Sequence, residues 1–411
     1  MRESLDVGIV GAGTAGSAAA LFLARAGHRV TVYERVEDPR PVGAGIVLQP
    51  TGQAVLARLG LLAPILERGA RIDRLRCETD ARRTVVDIAY ADVDARLFGL
   101  GLHRGVLFEV LFAAARAEPN VVMRLGVEIV ASEEAGEGQV VIDASGERHG
   151  PHALVIVADG AGSRIEVPGV RRRVSSYRWG ALWAVLPDPE QVYRGELYQV
   201  VKSARRMLGF LPTGAAPGDA ARRVVSLYWS VRGDALEAWR AAGLAPWKEE
   251  ILRYDPRAEA VLGAIDDVDQ VLHASYRDVI MPRWHGERVV WLGDAGHAMS
   301  PQLGQGANLA LWDAMTLGDA LEVHPTARDA LAAYSRGRRD HLGFYQLATR
   351  GLTPLFQSDS RALGWMRDLA LPIGLAIPWV RRRMVRSMAG IERGIVRAAF
   401  PIEAVRGALG P

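Results

Sequence analysis

The stretch Leu5–Arg35, LDVGIVGAGTAGSAAALFLARAGHRVTVYER, predicts the fold of the N-terminal part of the chain. Its first residues form the continuous apolar run that is typical of a buried parallel strand. A glycine-rich turn follows, and then small and apolar residues recur at helical spacing until Gly27, which ends the helix. A second apolar strand completes the unit. Strand, tight turn, helix and strand in this order predict the start of a doubly wound α/β sheet.

The turn after the first strand holds Gly11, Gly13 and Gly16 in GxGxxG spacing. The first glycine allows a tight turn, the second lets the backbone approach a pyrophosphate, and the third lets the helix pack closely on the strand. The helix starts at this turn, with Thr14 and Ala15, and its free N–H groups favour an anion. The motif therefore predicts a dinucleotide site.

The second strand ends on a carboxylate, Glu34, about 20 residues after the turn. Glu34 can accept hydrogen bonds from both ribose hydroxyls and would repel a ribose 2′-phosphate, so FAD or NAD is favoured over NADP. These residues alone do not separate FAD from NAD. The alternative, a glycine-rich turn with an unrelated surface glutamate, is disfavoured because the strand, the helix and the acid occur together.

A second glycine-rich segment, LGDAGHAMSPQLGQGANLALWDA at Leu292–Ala314, follows another short apolar strand. Its carboxylate, Asp294, can hold a ribityl hydroxyl. The N–H groups of Gly306, Ala307 and Asn308 open a helix and can face the pyrimidine edge of a flavin, which becomes anionic on reduction. Two helix N-termini so far apart in the chain predict a long ligand held at two places, and FAD fits that description.

These motifs resemble those of the class A flavoprotein monooxygenases, the para-hydroxybenzoate hydroxylase-like group. The resemblance rests on GAGTAG with Glu34, on VADGAGS at Val157–Ser163, and on GDAGHAMSPQLGQGANLALWDA. The stretches GAGIVLQPTGQAVLARLGL and HRGVLFEVL support it. Together the motifs span most of residues 5–340 in the order found in the family.

The resemblance implies further cofactor contacts. Arg104 would lie along the ribityl-pyrophosphate chain, and the pair Asp159 and Gly160 would be linked to both FAD and NAD(P)H binding. The remaining contacts expected for FAD are Arg35, Gly45, Val127, Pro301 and Gly304.

Two positions depart from the family pattern. Val157 stands where the family usually has glycine, and Glu166 stands where it has an arginine, with Arg164 as a substitute. These departures leave the choice between NADH and NADPH open.

The resemblance also implies a reaction: an FAD-dependent, NAD(P)H-driven monooxygenase that hydroxylates an aromatic or polyketide-like hydrophobic substrate with O2, through a flavin C4a-hydroperoxide. The sequence names no catalytic acid or base, because the cofactor supplies the chemistry. Pro301 and His297 are expected near the flavin ring, with a structural hydrogen bond favoured for His297. The alternatives are an FAD-dependent reductase or dehydrogenase of the geranylgeranyl-reductase type and a flavin-binding protein without turnover.

Aromatic residues are frequent in the strand-rich stretch 177–231. Trp183, Tyr198, Phe210 and Tyr228 lie on its predicted strands, and in the resembled fold such a sheet covers the substrate pocket. For each residue taken singly, ordinary core packing is favoured. If some of them line the pocket, a mostly apolar wall without a dedicated arginine favours a flat hydrophobic substrate.

The 411 residues suit two joined domains and a helical tail. We expect a Rossmann-type α/β FAD-binding domain, an inserted strand-rich substrate domain and a C-terminal helical segment. Their predicted ranges are 1–71, 98–174 and 279–345 for the first, 72–97 and 175–278 for the second, and 346–411 for the third.

Composition narrows the class of protein further. The net charge is +3 and basic residues form no dense block, which disfavours nucleic-acid binding. The single Cys77 excludes a disulfide framework, and the scattered histidines indicate no metal site. Without a secretory signal or a membrane span, we expect a cytoplasmic monomer or homodimer.

The run LALPIGLAIPWVRRRMVR at residues 369–386 is apolar and then basic. Such a pattern can dock on a membrane or a partner. Its two prolines and its short length favour a segment that covers the core over membrane contact.

Overall fold

The computed structural model describes residues 4–41, 43–394 and 400. Its strands are β1 (Asp6–Val10), β2 (Arg29–Glu34), β3 (Gly45–Leu48), β4 (Ala70–Thr79), β5 (Thr84–Ala89), β6 (Gly99–His103), β7 (Val121–Leu125), β8 (Ile129–Ala135), β9 (Gly138–Asp143), β10 (Arg148–His152), β11 (Leu154–Val157), β12 (Arg173–Ser176), β13 (Trp179–Pro187), β14 (Gly195–Lys202), β15 (Arg206–Ala216), β16 (Asp219–Arg232), β17 (Leu272–Ala274), β18 (Arg277–Ile280) and β19 (Val289–Trp291).

Its α-helices are α1 (Thr14–Arg25), α2 (Pro50–Arg58), α3 (Leu62–Arg68), α4 (Arg104–Ala117), α5 (Leu236–Ala242), α6 (Leu244–Tyr254), α7 (Glu259–Leu262), α8 (Asp294–His297), α9 (Gly306–Val323), α10 (Ala327–Phe356), α11 (Arg361–Leu375) and α12 (Pro378–Met388).

A five-stranded sheet in the order β19-β11-β1-β2-β7 forms the Rossmann-type part, and all of its pairings are parallel. Its central strands are buried throughout, as in Val7, Ile9 and Leu154–Val157, which agrees with the continuous apolar runs of the sequence. Helix α1 packs against α4 and α9. The predicted α/β fold with an FAD-binding architecture is confirmed.

A second, nine-stranded sheet has the order β17-β13-β16-β15-β14-β4-β6-β3, with β5 paired to β4. One face packs on Trp247, Ile251 and Tyr254 of α6. The other face shares a core with Phe356 and with residues of α11 and α12. The sheet also includes β3 and β6, which the predicted boundaries place in the FAD-binding domain. Those boundaries stay a prediction.

The C-terminal part is helical, but α10 runs through the predicted boundary at residue 346 without a break. Residues 395–399 and 401–411 of the predicted C-terminal segment lie outside the described residues. Within the described residues, no helix combines the length and the hydropathy needed to cross a bilayer.

Candidate active site

The carboxyl edge of the five-stranded parallel sheet collects the predicted cofactor residues. Because all of these strands run in one direction, the loops that follow them meet at a single edge. These loops carry, in sheet order from β19 to β7, Asp294, Asp159, the Gly11–Gly16 turn, Glu34 with Arg35, and Val127. With strands about 4.8 Å apart, the row is about 19 Å long. It fits an elongated ligand laid across the strand ends.

The first turn has the geometry that the glycine motif predicts. Gly11 has φ +96°, a left-handed conformation, and its N–H donates to the Tyr33 carbonyl at 2.8 Å. A Cβ on Gly16 would overlap the carbonyl oxygen of Gly11, so the third glycine is needed for helix packing. A Cβ on Gly13 would meet no atom of the described residues within 4 Å. The backbone at Gly13 therefore stands open at the start of α1, beside Thr14 and Ala15.

Glu34 is anchored toward the same turn. Its carboxylate accepts from the N–H of Ala12 at 2.9 Å and from that of Val36 at 3.0 Å. The Val127 N–H donates to the Glu34 carbonyl at 2.9 Å, so the two predicted contacts are neighbours. Arg35 is exposed beside them. The carboxylate is thus oriented by backbone donors before any ligand arrives.

The loop after β11 is held by an arginine that the sequence did not single out. The Arg172 guanidinium donates to the carbonyls of Ala161, Ser163 and Ala295 at 2.8–2.9 Å. It therefore ties this loop to α8. Arg164, the expected substitute for the family's arginine, is exposed, and it is Arg172 that holds the loop after β11 in place. The run GVRRRV gave no signal to choose between neighbouring arginines.

Asp159 lies in the concave part of this loop. Solvent reaches its side chain, yet the surrounding protein withholds hydration and raises the pKa of the carboxyl, against the opposing effects of the Ser163 hydroxyl and of Arg172. Gly160, which follows it, has φ +87°. A carboxyl poised in this way can take part in binding a polar ligand.

The two glycine-rich motifs meet at Gly293. A Cβ there would lie 3.1 Å from Cβ of Ala15 in α1 and 3.2 Å from Cβ of Ala310 in α9. The first turn of α1 and the second turn of α9 therefore both approach Gly293. Next to it, the Oδ1 atom of Asp294 lies 3.8 Å from the position of a Cβ on Gly306. Asp294, the side chain predicted to bind the ribityl chain, is therefore a neighbour of Gly306 at the predicted helix N-terminus.

The start of α9 is fixed by its own side chains. Buried Asn308 accepts from the Gln49 N–H at 2.8 Å and donates to the carbonyls of Val47 and Gly304 at 3.0 Å. The first intrahelical bond at this end runs from the Leu309 N–H to the Gln305 carbonyl. The N–H groups of Gly306, Ala307 and Asn308 precede it and have no intrahelical acceptor. The side chain of Asn308 thus positions the helix, while its N–H stays available.

The remaining predicted contacts surround this point. Pro301 is exposed and opens a 3₁₀ turn that ends at Gly304, with φ +61°. Gly45 pairs with His103 across β3 and β6 and is bonded to the Ser226 hydroxyl, so its small size serves sheet packing. Arg104 is exposed at the start of α4, next to Gly43.

His297 belongs to a buried charged network. Its Nε2 lies 2.5 Å from Oδ2 of Asp313, and that oxygen also accepts from the Gly293 N–H at 2.8 Å. The other Asp313 oxygen accepts from Arg338 at 2.7 Å, and Arg338 contacts His341. Burial alone would raise the pKa of Asp313, but the charges of His297 and Arg338 outweigh it and lower that pKa to about 2. His297 is a positioning residue of the Gly293–Asp294 turn.

The four aromatic residues divide between the two faces of the large sheet. Tyr228 pairs with Trp183 and Gly209, whereas Tyr198 pairs with Phe210. Tyr198 and Phe210 are buried with Tyr193 in the core under α6. Side chains alternate between the faces of a sheet, so Tyr198 and Phe210 lie on the face opposite to Trp183 and Tyr228, and their predicted substrate role stays a prediction. The rings of Trp183 and Tyr228 lie on the other face with their centroids 5.0 Å apart and their planes tilted by 37°.

A cavity of about 330 Å³ joins the cofactor edge to that other face. It is lined by Ala161, Gly162, Ser275, Tyr276, Arg277, Asp294, Ala298 and Met299. Tyr276 connects it to the aromatic pair, because its hydroxyl accepts from the Trp183 indole at 3.4 Å. Burial raises the pKa of Tyr276 to about 12, so its hydroxyl stays protonated at neutral pH. Neither Tyr276 nor Arg277 is among the residues that the sequence predicted, and Arg277 adds a charged side chain to the cavity wall.

Two other features do not belong to this site. A larger cavity, about 660 Å³, is lined by Lys202, Arg206, Glu250 and other residues on the Tyr198 side of the sheet. On the hairpin of β9 and β10, Asp143, Glu147 and His149 bring donor atoms within 4.8 Å of one another. There Asp143 already accepts hydrogen bonds from the turn backbone and from Ser145. Neither feature contains a predicted cofactor residue.

The residues at the carboxyl edge fit FAD. The open backbone at Gly13 leaves room for a pyrophosphate at the start of α1, and Glu34 is oriented at the ribose position. The open side of Gly306 leaves room for a ring beside free N–H groups. Asp294 stands between the two helix starts, where a ribityl chain would pass.

Comparison with known proteins agrees with this geometry. A family model described as "FAD binding domain" matches residues 4–343. The chain is 30% identical over 368 residues to kynurenine 3-monooxygenase of Salinispora arenicola, covering 83% of this chain and 77% of that protein. It is 28% identical over 337 residues to 6-hydroxynicotinate 3-monooxygenase of Pseudomonas fluorescens, covering 78% and 84%.

Solved structures share the fold. The tetrameric form of 2-methyl-3-hydroxypyridine-5-carboxylic acid oxygenase superposes with a TM-score of 0.76 at 21% identity, over 93% of this chain and 96% of that one. The relatives are flavin monooxygenases, and neither the reductase alternative nor the non-catalytic alternative has support among them.

Proposed function

The chain belongs to the para-hydroxybenzoate hydroxylase-like family of FAD monooxygenases, and from that premise we propose that it hydroxylates a flat, hydrophobic aromatic or polyketide-like compound with O2 and NAD(P)H. That the chain is a flavin-dependent oxidoreductase follows from the family. The substrate class, the nicotinamide reductant, a cytoplasmic location and the individual site residues are the proposal.

One observation carries the proposal: α1 and α9 both approach Gly293 within their first two turns, directly beside a cavity that opens toward an aromatic pair. FAD, when bound, accepts a hydride from NAD(P)H and activates oxygen for transfer to an aromatic carbon. The protein has to hold the cofactor, orient the substrate and keep water away.

Different residues bind different parts of the cofactor. The Gly11–Gly16 turn and the start of α1 bind the pyrophosphate, and Glu34 accepts from the ribose. Asp294 accepts from the ribityl chain. The N–H groups of Gly306, Ala307 and Asn308 donate to the pyrimidine edge and stabilise negative charge there.

The substrate side is built from the large sheet. Trp183 and Tyr228, two rings in tilted contact, offer aromatic surface to a substrate ring, and Gln199 donates to the Tyr228 hydroxyl and fixes it. Tyr276 and Arg277 add two polar groups on the cavity wall. Aromatic surface beside a cavity wall with several polar groups suits a ring compound that carries an oxygen acceptor.

The face assignment can be tested with a matched pair of variants on the same sheet. Tyr228→Leu removes an aromatic surface from the cofactor-facing side, and Tyr198→Leu removes one from the opposite side. Loss of an aromatic contact is worth about 0.5–1.5 kcal/mol, so Tyr228→Leu should raise KM roughly three- to tenfold.

The assay is substrate-stimulated NAD(P)H oxidation by FAD-loaded protein across a panel of bicyclic aromatics and small aromatic acids. Tyr198→Leu should lower thermal stability and leave KM unchanged. Equal KM values in both variants would show that the substrate does not lie on the Trp183–Tyr228 face.

A further inference from the structure

The outer face of α11 and the start of α12 carries an unusual density of exposed apolar side chains. Six of the large exposed apolar residues among the described residues fall within fifteen positions. They are Trp365, Met366, Leu369, Ile373, Ile377 and Trp379, which we call the apolar strip. Trp365 is 70% exposed and Trp379 is 65% exposed. Exposed tryptophans at this density mark a surface that binds something.

The strip is the outward side of a firmly seated helix. On the inward side of α11, Gly364 lies against the backbone of Ser203 and Ala204. Arg367 is buried and donates to the carbonyls of Ser203 and Leu355 at 3.0 Å. Because these contacts fix the rotation of α11 about its axis, residues 365, 369 and 373, spaced by four, must point outward.

The charges around the strip are positive. Arg361 and Arg382 are exposed at its two ends, and the Arg383 guanidinium lies 5.4 Å from the centre of the Trp379 ring. The sequence from residue 361 to 388 contains one acidic residue, Asp368, and Arg367 already binds it. Two carboxylates of neighbouring elements also face this segment: Asp92 binds Arg381, and Glu392 lies 3.7 Å from Arg383. The exposed arginines at the ends of the strip, Arg361 and Arg382, keep its charge basic.

From this combination we infer that the apolar strip docks the enzyme on the surface of an anionic phospholipid bilayer. Tryptophan and aliphatic side chains would enter the boundary between headgroups and acyl chains, and the arginines would meet lipid phosphates. A second copy of the chain on this face would bring like charges together, whereas anionic headgroups would neutralise them. The inference does not depend on the proposed substrate.

The test is sedimentation of the full-length, FAD-loaded protein with vesicles of phosphatidylcholine alone and of phosphatidylcholine with 30% phosphatidylglycerol. The protein should sediment with the anionic vesicles and, at least tenfold more weakly, with the neutral ones. Two arginines at about 1 kcal/mol each account for a difference of this order. Raising the salt concentration should weaken the binding.

Two pairs of variants make the test specific. Trp365→Ser with Trp379→Ser should lower vesicle binding at least tenfold, whereas Leu272→Ser with Val323→Ser, which removes exposed apolar side chains elsewhere, should not change it. Arg361→Gln with Arg382→Gln should abolish the preference for anionic vesicles, whereas Arg116→Gln with Arg222→Gln should keep it. Flavin content and melting temperature report folding in every variant.

Three results would overturn the inference. The first is no binding to either vesicle by folded, active enzyme. The second is binding that survives the double tryptophan variant. The third is a dimer, seen by analytical ultracentrifugation, that the tryptophan variant dissociates while vesicles have no effect; a second copy would then be the occupant. Because turnover is measured separately, failure here leaves the proposed function standing.

Discussion

Gly306→Val separates a cofactor-facing helix start from an ordinary one. Gly306 is the first residue of α9, is exposed, and is not among the glycines with positive φ. A Cβ added there meets one nearby protein atom, Oδ1 of Asp294, at 3.8 Å. Among the described residues, therefore, no protein atom clashes with an added Cβ, and we expect the damage to come from a ligand that occupies the open side.

Gly306→Val should change the stability of the apo protein much less than it changes flavin binding. Valine costs a helix slightly less than glycine does, so the free energy of unfolding of the apo protein should change by less than about 0.5 kcal/mol. Losing the approach of an anionic ring edge to a helix N-terminus costs about 1–2 kcal/mol in a partly buried site. Affinity for reduced FAD, whose ring edge is anionic, should fall roughly 5- to 30-fold. A displaced ring also loses its shield from water, so hydrogen peroxide per NAD(P)H consumed should rise.

The assay combines anaerobic titration of apo protein with reduced FAD, urea unfolding and peroxide yield with substrate on the FAD-loaded fraction. Gly343→Val is the control, because Gly343 is an exposed helical glycine of α10 whose added Cβ meets no atom within 4 Å. The control should keep affinity and coupling. If Gly306→Val binds FAD and couples turnover as the wild type does, the start of α9 does not face the flavin.

Three further variants probe the rest of the site. Glu34→Ala should weaken FAD binding about ten- to a hundredfold, since charge-assisted hydrogen bonds are worth about 1.5–3 kcal/mol; an unchanged titration would remove Glu34 from the ribose site. Asp294→Ala should lower flavin occupancy and turnover while the melting temperature of the apo protein stays within a few degrees, and normal occupancy with normal rate would contradict the ribityl role. Asp313→Ala leaves Arg338 buried without its partner and should cost about 3–5 kcal/mol in urea unfolding. The ionised Asp313 carboxylate stabilises the fold above its unfolded pKa of 3.8, and this stabilisation is lost as the pH falls through about 2. If Asp313→Ala costs less than about 1 kcal/mol at pH 7, the network does not stabilise the fold.

The cofactor edge was predictable from the sequence because its rules are local. Gly11 and Gly16 are dictated by a turn and by a close backbone approach within a few residues, and Glu34 follows at a spacing set by one helix and one strand. The parallel order of the strands then places Asp159 and Asp294 at the same edge. Each step needs only the chain direction and the rule that loops after parallel strands meet.

The residues on the substrate side are placed by contacts between distant parts of the chain, which no local sequence pattern predicts. Tyr198 and Tyr228 both lie in apolar strand sequence, and only the strand pairing reveals that they point to opposite faces. Arg172 donates to three carbonyls that lie 9 to 123 residues away in the sequence, and Asp313 of α9 accepts a hydrogen bond from the N–H of Gly293, which precedes α8. Tyr276 lies in the short connection between β17 and β18, where no sequence motif distinguishes it.

The measurement that tests the central claim most directly is the fate of oxygen during substrate-dependent turnover of the FAD-loaded enzyme under ¹⁸O₂. The account predicts one O2 consumed for each NAD(P)H oxidised and one ¹⁸O atom in the hydroxylated product, with little hydrogen peroxide. Substrate reduced without oxygen uptake, or product that carries oxygen from water, would contradict it.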